Sequence, residues 1–197
     1  MKTRNAAALD RFLQPTEVID WEHPEVKSCA RAIASGLTDA GEIAKRCFEW
    51  VRDEIKHSRD YRLQPVTCVA SDVLRVGSGF CYAKSHLLAA LLRANGIPTG
   101  LCYQRLSRDD NGEPYSLHGL NAVYLPDTGW YRVDPRGNRK GVDARFTPPV
   151  ERLAFPISLP GESDLPEIWP DPLPVVVAAL AAYKTANELW EHLPDVV

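Results

Sequence analysis

The chain has 197 residues, 45% of them apolar and 25% charged, and a formal net charge of −3 at pH 7. That length suits one domain with a sizeable core, and the mildly acidic balance gives no electrostatic reason to expect nucleic acid or an anionic membrane as partner. The opening, Met1-Lys2-Thr3-Arg4-Asn5, leads into polar sequence, and the longest apolar run, Leu173 to Tyr183, contains Pro174 and stops at Lys184, too short for a bilayer; a cytoplasmic location is the expectation.

Residues up to about Trp21 read as an extended arm or a short helix broken at Pro15. His23-Pro24 opens a helix to about Ser35, with Gly36 as its stop. Asp39 can cap a longer helix, in which Ile43, Cys47, Trp50, Val51 and Ile55 recur at helical spacing until the pattern frays near His57-Ser58. Arg59 to Pro65 reads as a loop, and Ala70 to Leu74 as a short helix feeding the glycine loop Gly77-Ser78-Gly79-Phe80. From Ala83 to Ala94 apolar residues fall on almost every face, which marks a central helix wrapped by other elements.

After Gly96-Ile97-Pro98 the pattern changes to strands: Thr99 to Leu106, Leu117 to Leu125, and Trp130 to Asp134. The first pair is joined by a polar loop with Asn111-Gly112 as its turn, the second by Pro126-Asp127-Thr128-Gly129. Arg145-Phe146 and Leu153 to Leu159 could add edge strands. A proline-rich connector, Pro160 to Pro174, then leads to one last amphipathic helix with Val176, Leu180, Tyr183 and Trp190 on one side. Helices first and an antiparallel sheet after predict an α+β fold, its central buried helix packed on the sheet.

The five cysteines, Cys29, Cys47, Cys68, Cys81 and Cys102, are odd in number and lack any Cys-x-x-Cys pair, which argues against a disulfide framework and a structural zinc site. No cofactor and no metal are expected. Four of the five sit in contexts suited to packing. Cys81 differs, because the glycine loop runs into a helix at that point. A helix N-terminus carries unpaired N–H groups and partial positive charge, and both favour a thiolate over a thiol.

A thiolate nucleophile needs a base within reach, and the base needs a partner that fixes its tautomer. His118 and Asp134 lie on neighbouring predicted strands. If Tyr124 pairs with Trp130, Asp134 falls opposite Leu120, on the same face as His118 and one diagonal step away, roughly 7–8 Å between α-carbons. A register shifted by one residue would put them on opposite faces. Each residue also has a plain structural role open to it: Cys81 in packing, His118 half-buried in a strand, Asp134 as a turn residue before Pro135.

The local contexts resemble the transglutaminase-like superfamily, whose fold is papain-like. The resemblance rests on Gly79-Phe80-Cys81, on Leu87 through Pro98, on His118 with Val123-Tyr124 following, and on Gly129-Trp130-Tyr131-Arg132-Val133-Asp134-Pro135. It covers about residues 40 to 137; the expected organisation is a transglutaminase-like core with N-terminal helices over residues 1–160, and 161–197 as the proline-rich connector and C-terminal helix packing on the same domain. The resemblance implies Cys81 as nucleophile, His118 as general base and acid, and Asp134 as the group orienting His118. The activity implied is a cysteine-based peptidase, amidase or transglutaminase-like acyltransferase working on a peptide or protein through a thioacyl-enzyme. The family often has His-Ala-Trp and then an acidic residue, whereas this chain has His118-Gly119-Leu120-Asn121-Ala122. That departure favours the rival reading, a non-catalytic peptide- or protein-binding module on the same scaffold.

An acyl-transfer site needs oxyanion donors. The backbone N–H of Cys81 is one, and Gln64 and Tyr61 in the loop before the helix are candidates for the second. His57 reads as a cation capping the C-terminal end of the long helix. Asp53 and Asp60 read as helix-end charges, His86 as too far around its helix to act as a base, and Arg136 to Lys140 as a solvated turn or, less simply, a carboxylate-binding run.

Overall fold

A computed structural model describes residues 8–109 and 111–195, so the first seven residues of the N-terminal arm fall outside the described residues. Helix α1 spans Pro24–Ile33, and its N-cap, His23, accepts through Nδ1 from the Glu25 N–H. Helix α2 spans Ala40–Glu54 and is capped by Asp39, whose carboxylate accepts from the Glu42 N–H at 2.9 Å. It buries Ala44, Cys47, Phe48 and Val51 as a helical stripe. Its end differs from expectation. Ile55 already has an extended backbone (ψ 115°), and Lys56–His57 forms a short strand, β1, instead of a fraying last turn.

Strand β1 pairs in parallel with β2, Ser78–Gly79, so that His57 lies beside Gly79. Between them, α3 spans Ala70–Val76. Directly after β2 comes α4, Cys81–Ala94, every residue of which from Cys81 to Arg93 is buried. Leu87, Leu88, Leu91 and Leu92 are wholly shielded, each contributing about 1.5–3 kcal/mol of burial. The helix touches α1, α2 and α3 as well as the sheet. Three of its polar members are met by backbone carbonyls: Arg93 donates to Thr99 and Gln14, His86 Nδ1 meets Cys68 O at 2.9 Å, and Lys84 donates to Arg52 O and Ile55 O.

The main sheet holds β3 (Thr99–Ser107), β4 (Tyr115–Leu125), β5 (Gly129–Val133) and β6 (Ser163–Asp164), in the order β5-β4-β3-β6. All pairings are antiparallel. The edge strand is not where the sequence pattern put it. Arg145 and Arg152 make an isolated bridge only, and the fourth strand is the polar pair Ser163–Asp164 inside the proline-rich connector, lying on Gln104 and Arg105. The last helix is two helices, α5 (Pro174–Ala182) and α6 (Ala186–Glu191). Thr185 and Glu188 form a reciprocal capping box that restarts the helix after Tyr183-Lys184. Val176, Leu180, Ala186 and Leu189 join the same apolar cluster as α4. Among the described residues no helix is long and apolar enough to cross a membrane.

Candidate active site

Cys81 is the first residue of α4 and is delivered there by backbone bonding on both sides of the glycine loop. The Lys56 N–H donates to Gly77 O at 2.9 Å and the Ser58 N–H to Gly79 O at 3.1 Å, locking the loop to β1. Gly79 has no room for a side chain, since a Cβ would lie 2.9 Å from Ala83 Cβ and 3.0 Å from Thr67 Oγ1. The start of α4 is thereby pressed towards β4. At Gly119 the two elements nearly touch: a Cβ there would come 2.9 Å from Tyr82 Cδ1 and 3.1 Å from Tyr82 Cα. The Gly119 N–H points at the Cys81 sulfur, 3.5 Å away.

The β4–β5 register pairs Tyr124 with Trp130 and Asn121 with Val133. Continuing it places Asp134 opposite Leu120, and His118 Nε2 meets Asp134 Oδ2 at 2.8 Å. Asp134 is wholly buried and also accepts from the Arg136 N–H (3.1 Å, Oδ1) and the Ala154 N–H (3.1 Å, Oδ2). Burial alone would raise its pKa, but the charge and hydrogen bond of His118 and the two backbone donors outweigh that and hold it below the usual carboxylate value. An ionised carboxylate accepts only, so Nε2 carries a proton and Nδ1 is the nitrogen left for the sulfur. The ring and Cys81 line the same cleft, and the Cys81 sulfur acts on the charge of the ring. Burial disfavours the charged ring, yet Asp134 and the Cys81 sulfur override it and raise the His118 pKa to about 10. Phe155 closes the other side, edge-on to the imidazole at 5.1 Å between centroids.

The sulfur is not sealed in. Cys81 and His118, 7% and 6% exposed, both line a cleft of about 220 Å³. Its walls come from the Phe80-Cys81-Tyr82 segment, the adjoining ends of β3 and β4, the Phe155-Pro156 segment, and Trp190 and Leu193 near the C-terminus. Neither proposed side-chain donor reaches it. Gln64 is exposed and its backbone carbonyl is taken by the Ala186 N–H at 2.8 Å. Tyr61 is 57% exposed and lines a separate hollow beside Lys56 and Asp60. The stretch that carries them is drawn towards the C-terminal segment through the bridge between Pro65 and Thr185.

His57, by contrast, lines the cleft. As a β1 residue beside Gly79 it is 6% exposed and meets Phe80 edge-on at 5.7 Å. Its Nδ1 has no hydrogen-bond partner, Asp60 Oδ1 being 3.9 Å away. Burial, then the charges of Arg136, Lys84 and His118, push its pKa well below 6.5, so the ring is neutral and not a capping cation. Arg136, expected in a solvated turn, is 6% exposed and grips Asp60 through two bonds of 2.6 and 2.9 Å. Asp60 is therefore part of a polar layer under the site, whereas Asp53 is held by its neighbour Arg52.

The profile of the transglutaminase-like superfamily matches residues 27–135. The chain belongs to the transglutaminase-like superfamily. Among solved structures, a candidate cysteine protease of Cytophaga hutchinsonii superposes with a TM-score of 0.52 at 18% identity, over 66% of this chain and 42% of that one. The periplasmic domain of TgpA from Pseudomonas aeruginosa gives a TM-score of 0.49 at 23% identity, over 66% and 47% of the two chains. The chain thus spans less than half the length of either. No curated protein matches. The Cytophaga protein shares the fold, in which the transglutaminase-like and papain-like arrangement of one buried helix on an antiparallel sheet is carried by α4, β3, β4 and β5 here.

Proposed function

We propose that the protein is an enzyme that breaks amide bonds of a peptide or protein through a thioester at Cys81, passing the acyl group to water or to an amine. The observation that carries this reading is the hydrogen bond from His118 to the buried Asp134, with His118 and Cys81 lining one cleft. With Nε2 held by Asp134, His118 works through Nδ1. The Cys81 thiolate adds to the substrate carbonyl carbon, and the resulting oxyanion collapses as the C–N bond breaks. His118 passes its Nδ1 proton to the departing amine. Water or an amine then attacks the thioester, His118 takes its proton, and the thiolate leaves.

The oxyanion would be met by the backbone N–H of Cys81 and by His57. A neutral imidazole has one N–H, and with Nδ1 unpartnered the proton is free to sit on whichever nitrogen faces the developing charge. The membership of the family supports a cysteine-based reaction. The test is covalent labelling by a thiol-directed acylating probe. Cys81→Ala should abolish labelling and turnover while the circular dichroism spectrum stays unchanged. Equal labelling of the variant would remove this reading. Peptide binding without any acylation of the intact protein would make it a binding module.

A further inference from the structure

Arg108 and Trp190 lie together on the wall of the cleft. Three guanidiniums line the cleft, those of Arg108, Arg136 and Arg139. Asp60 neutralises Arg136 through both of its terminal nitrogens and lies 3.6 Å from Arg139 Nε. Arg108 has no carboxylate at ion-pair distance among the described residues; its Nη2 donates to the neutral carbonyl of Trp190 at 2.6 Å. Its carbon Cζ stands 4.9 Å over the Trp190 ring, and Arg59 covers the same ring at 4.4 Å, so a second cation adds to the local field. Among the described residues the buried Arg108 Nε–H has no acceptor. A half-buried guanidinium held by a neutral carbonyl gains a charge-assisted bond when a carboxylate enters the cleft that it lines.

The cleft's carboxylate does not supply the need. Glu162 accepts from the Ser107 N–H at 3.0 Å and from the Ser158 and Leu159 N–H groups at 2.9 Å each. Leu106, Leu117, Leu193 and the Trp190 ring give the same cleft an apolar part of its wall. A cleft with apolar walls and a guanidinium that has no carboxylate partner among the described residues fits a short aliphatic stem that carries a carboxylate.

We propose that this cleft selects an acidic group on the substrate, a glutamate- or aspartate-like side chain, with Arg108 as its anchor. This deepens the acyl-transfer reading above and rests on it for the site. The test uses alkylation of Cys81 by iodoacetamide, which reports the thiolate and not turnover. N-acetylglutamate α-amide and N-acetylglutamine α-amide are compared as protectants, each variant being referenced to its own unprotected rate. The acidic compound should protect at a concentration at least about tenfold lower, a margin that should shrink with added salt. In Arg108→Gln the two compounds should protect equally, and Arg108→Lys should keep part of the difference. Equal protection in the natural protein, or an undiminished preference in Arg108→Gln, would overturn the proposal. Because labelling is read apart from hydrolysis, an acid preference without turnover would count against the enzymatic reading alone.

Discussion

Tyr124 faces Trp130 across the β4–β5 hairpin, ring centroids 5.5 Å apart, and that pairing puts Asp134 within 2.8 Å of His118. The carboxylate holds the proton on Nε2 and leaves Nδ1 for the sulfur. Asp134→Asn keeps the volume but removes the charge that supports the imidazolium. Turnover should fall by about 10²–10⁴-fold, with a far smaller change in KM. Steady-state kinetics on a cleavable peptide amide would check this, and a variant of unchanged kcat would show that the carboxylate does not act through His118.

His57 offers a separate handle on the proposed reaction, because no hydrogen bond joins it to His118 or Asp134. Replacement by Phe keeps an aromatic ring against Phe80 and removes only the N–H. The expected loss is about 10²–10³ in kcat, the usual worth of one oxyanion donor, with the alkylation rate of Cys81 retained. Unchanged kcat in His57→Phe would strike His57 from the mechanism.

Close approach of backbone, not chemistry, sets the residue at position 119. In Gly119→Ala the new methyl would sit 3.1 Å from Tyr82 Cα, and Tyr82 cannot swing clear because its hydroxyl is bonded to Leu117 O. The start of α4 must shift, at a cost of about 1–3 kcal/mol. Urea denaturation should show that loss, and Cys81 alkylation should slow together with turnover. Full stability in the alanine variant would mean that helix and strand are not in contact there.

Much of this arrangement could be read from the residues alone, where local signals suffice. The Asp39 cap, the all-round apolar run of α4 and the Pro126–Gly129 turn each act over a few positions, and they locate two helices and the hairpin register. The helical rhythm of Ile43 to Ile55 runs past Glu54 and so places His57 at a helix end, whereas the helix stops at Glu54. What stops the helix is pairing with Ser78–Gly79, some twenty residues on, which no local pattern records. The same holds for the Ala154 N–H on Asp134 and for a two-residue edge strand as polar as Ser163–Asp164. Thr185 and Glu188 are a different case. Their spacing is a capping-box signature, and it was there to split the last helix in two.

Two buried bases near the site titrate in opposite senses over one pH window. His118 goes from 6.5 in an unfolded chain to about 10, so its contribution to stability is full below pH 6.5 and is lost as pH rises through 10. Lys84 behaves conversely. Burial, and then repulsion from Arg136, lowers it from 10.5 to about 7, so the unfolded chain binds the proton more tightly and stability grows as pH rises between those values. In the natural protein the two slopes oppose each other. His118→Gln should therefore make stability rise more steeply with pH between 7 and 10 than in the natural protein, and Lys84→Met should make it fall more steeply. Urea midpoints at three pH values across that range would decide it. Parallel pH profiles for all three proteins would mean that neither base has its ionisation altered by folding.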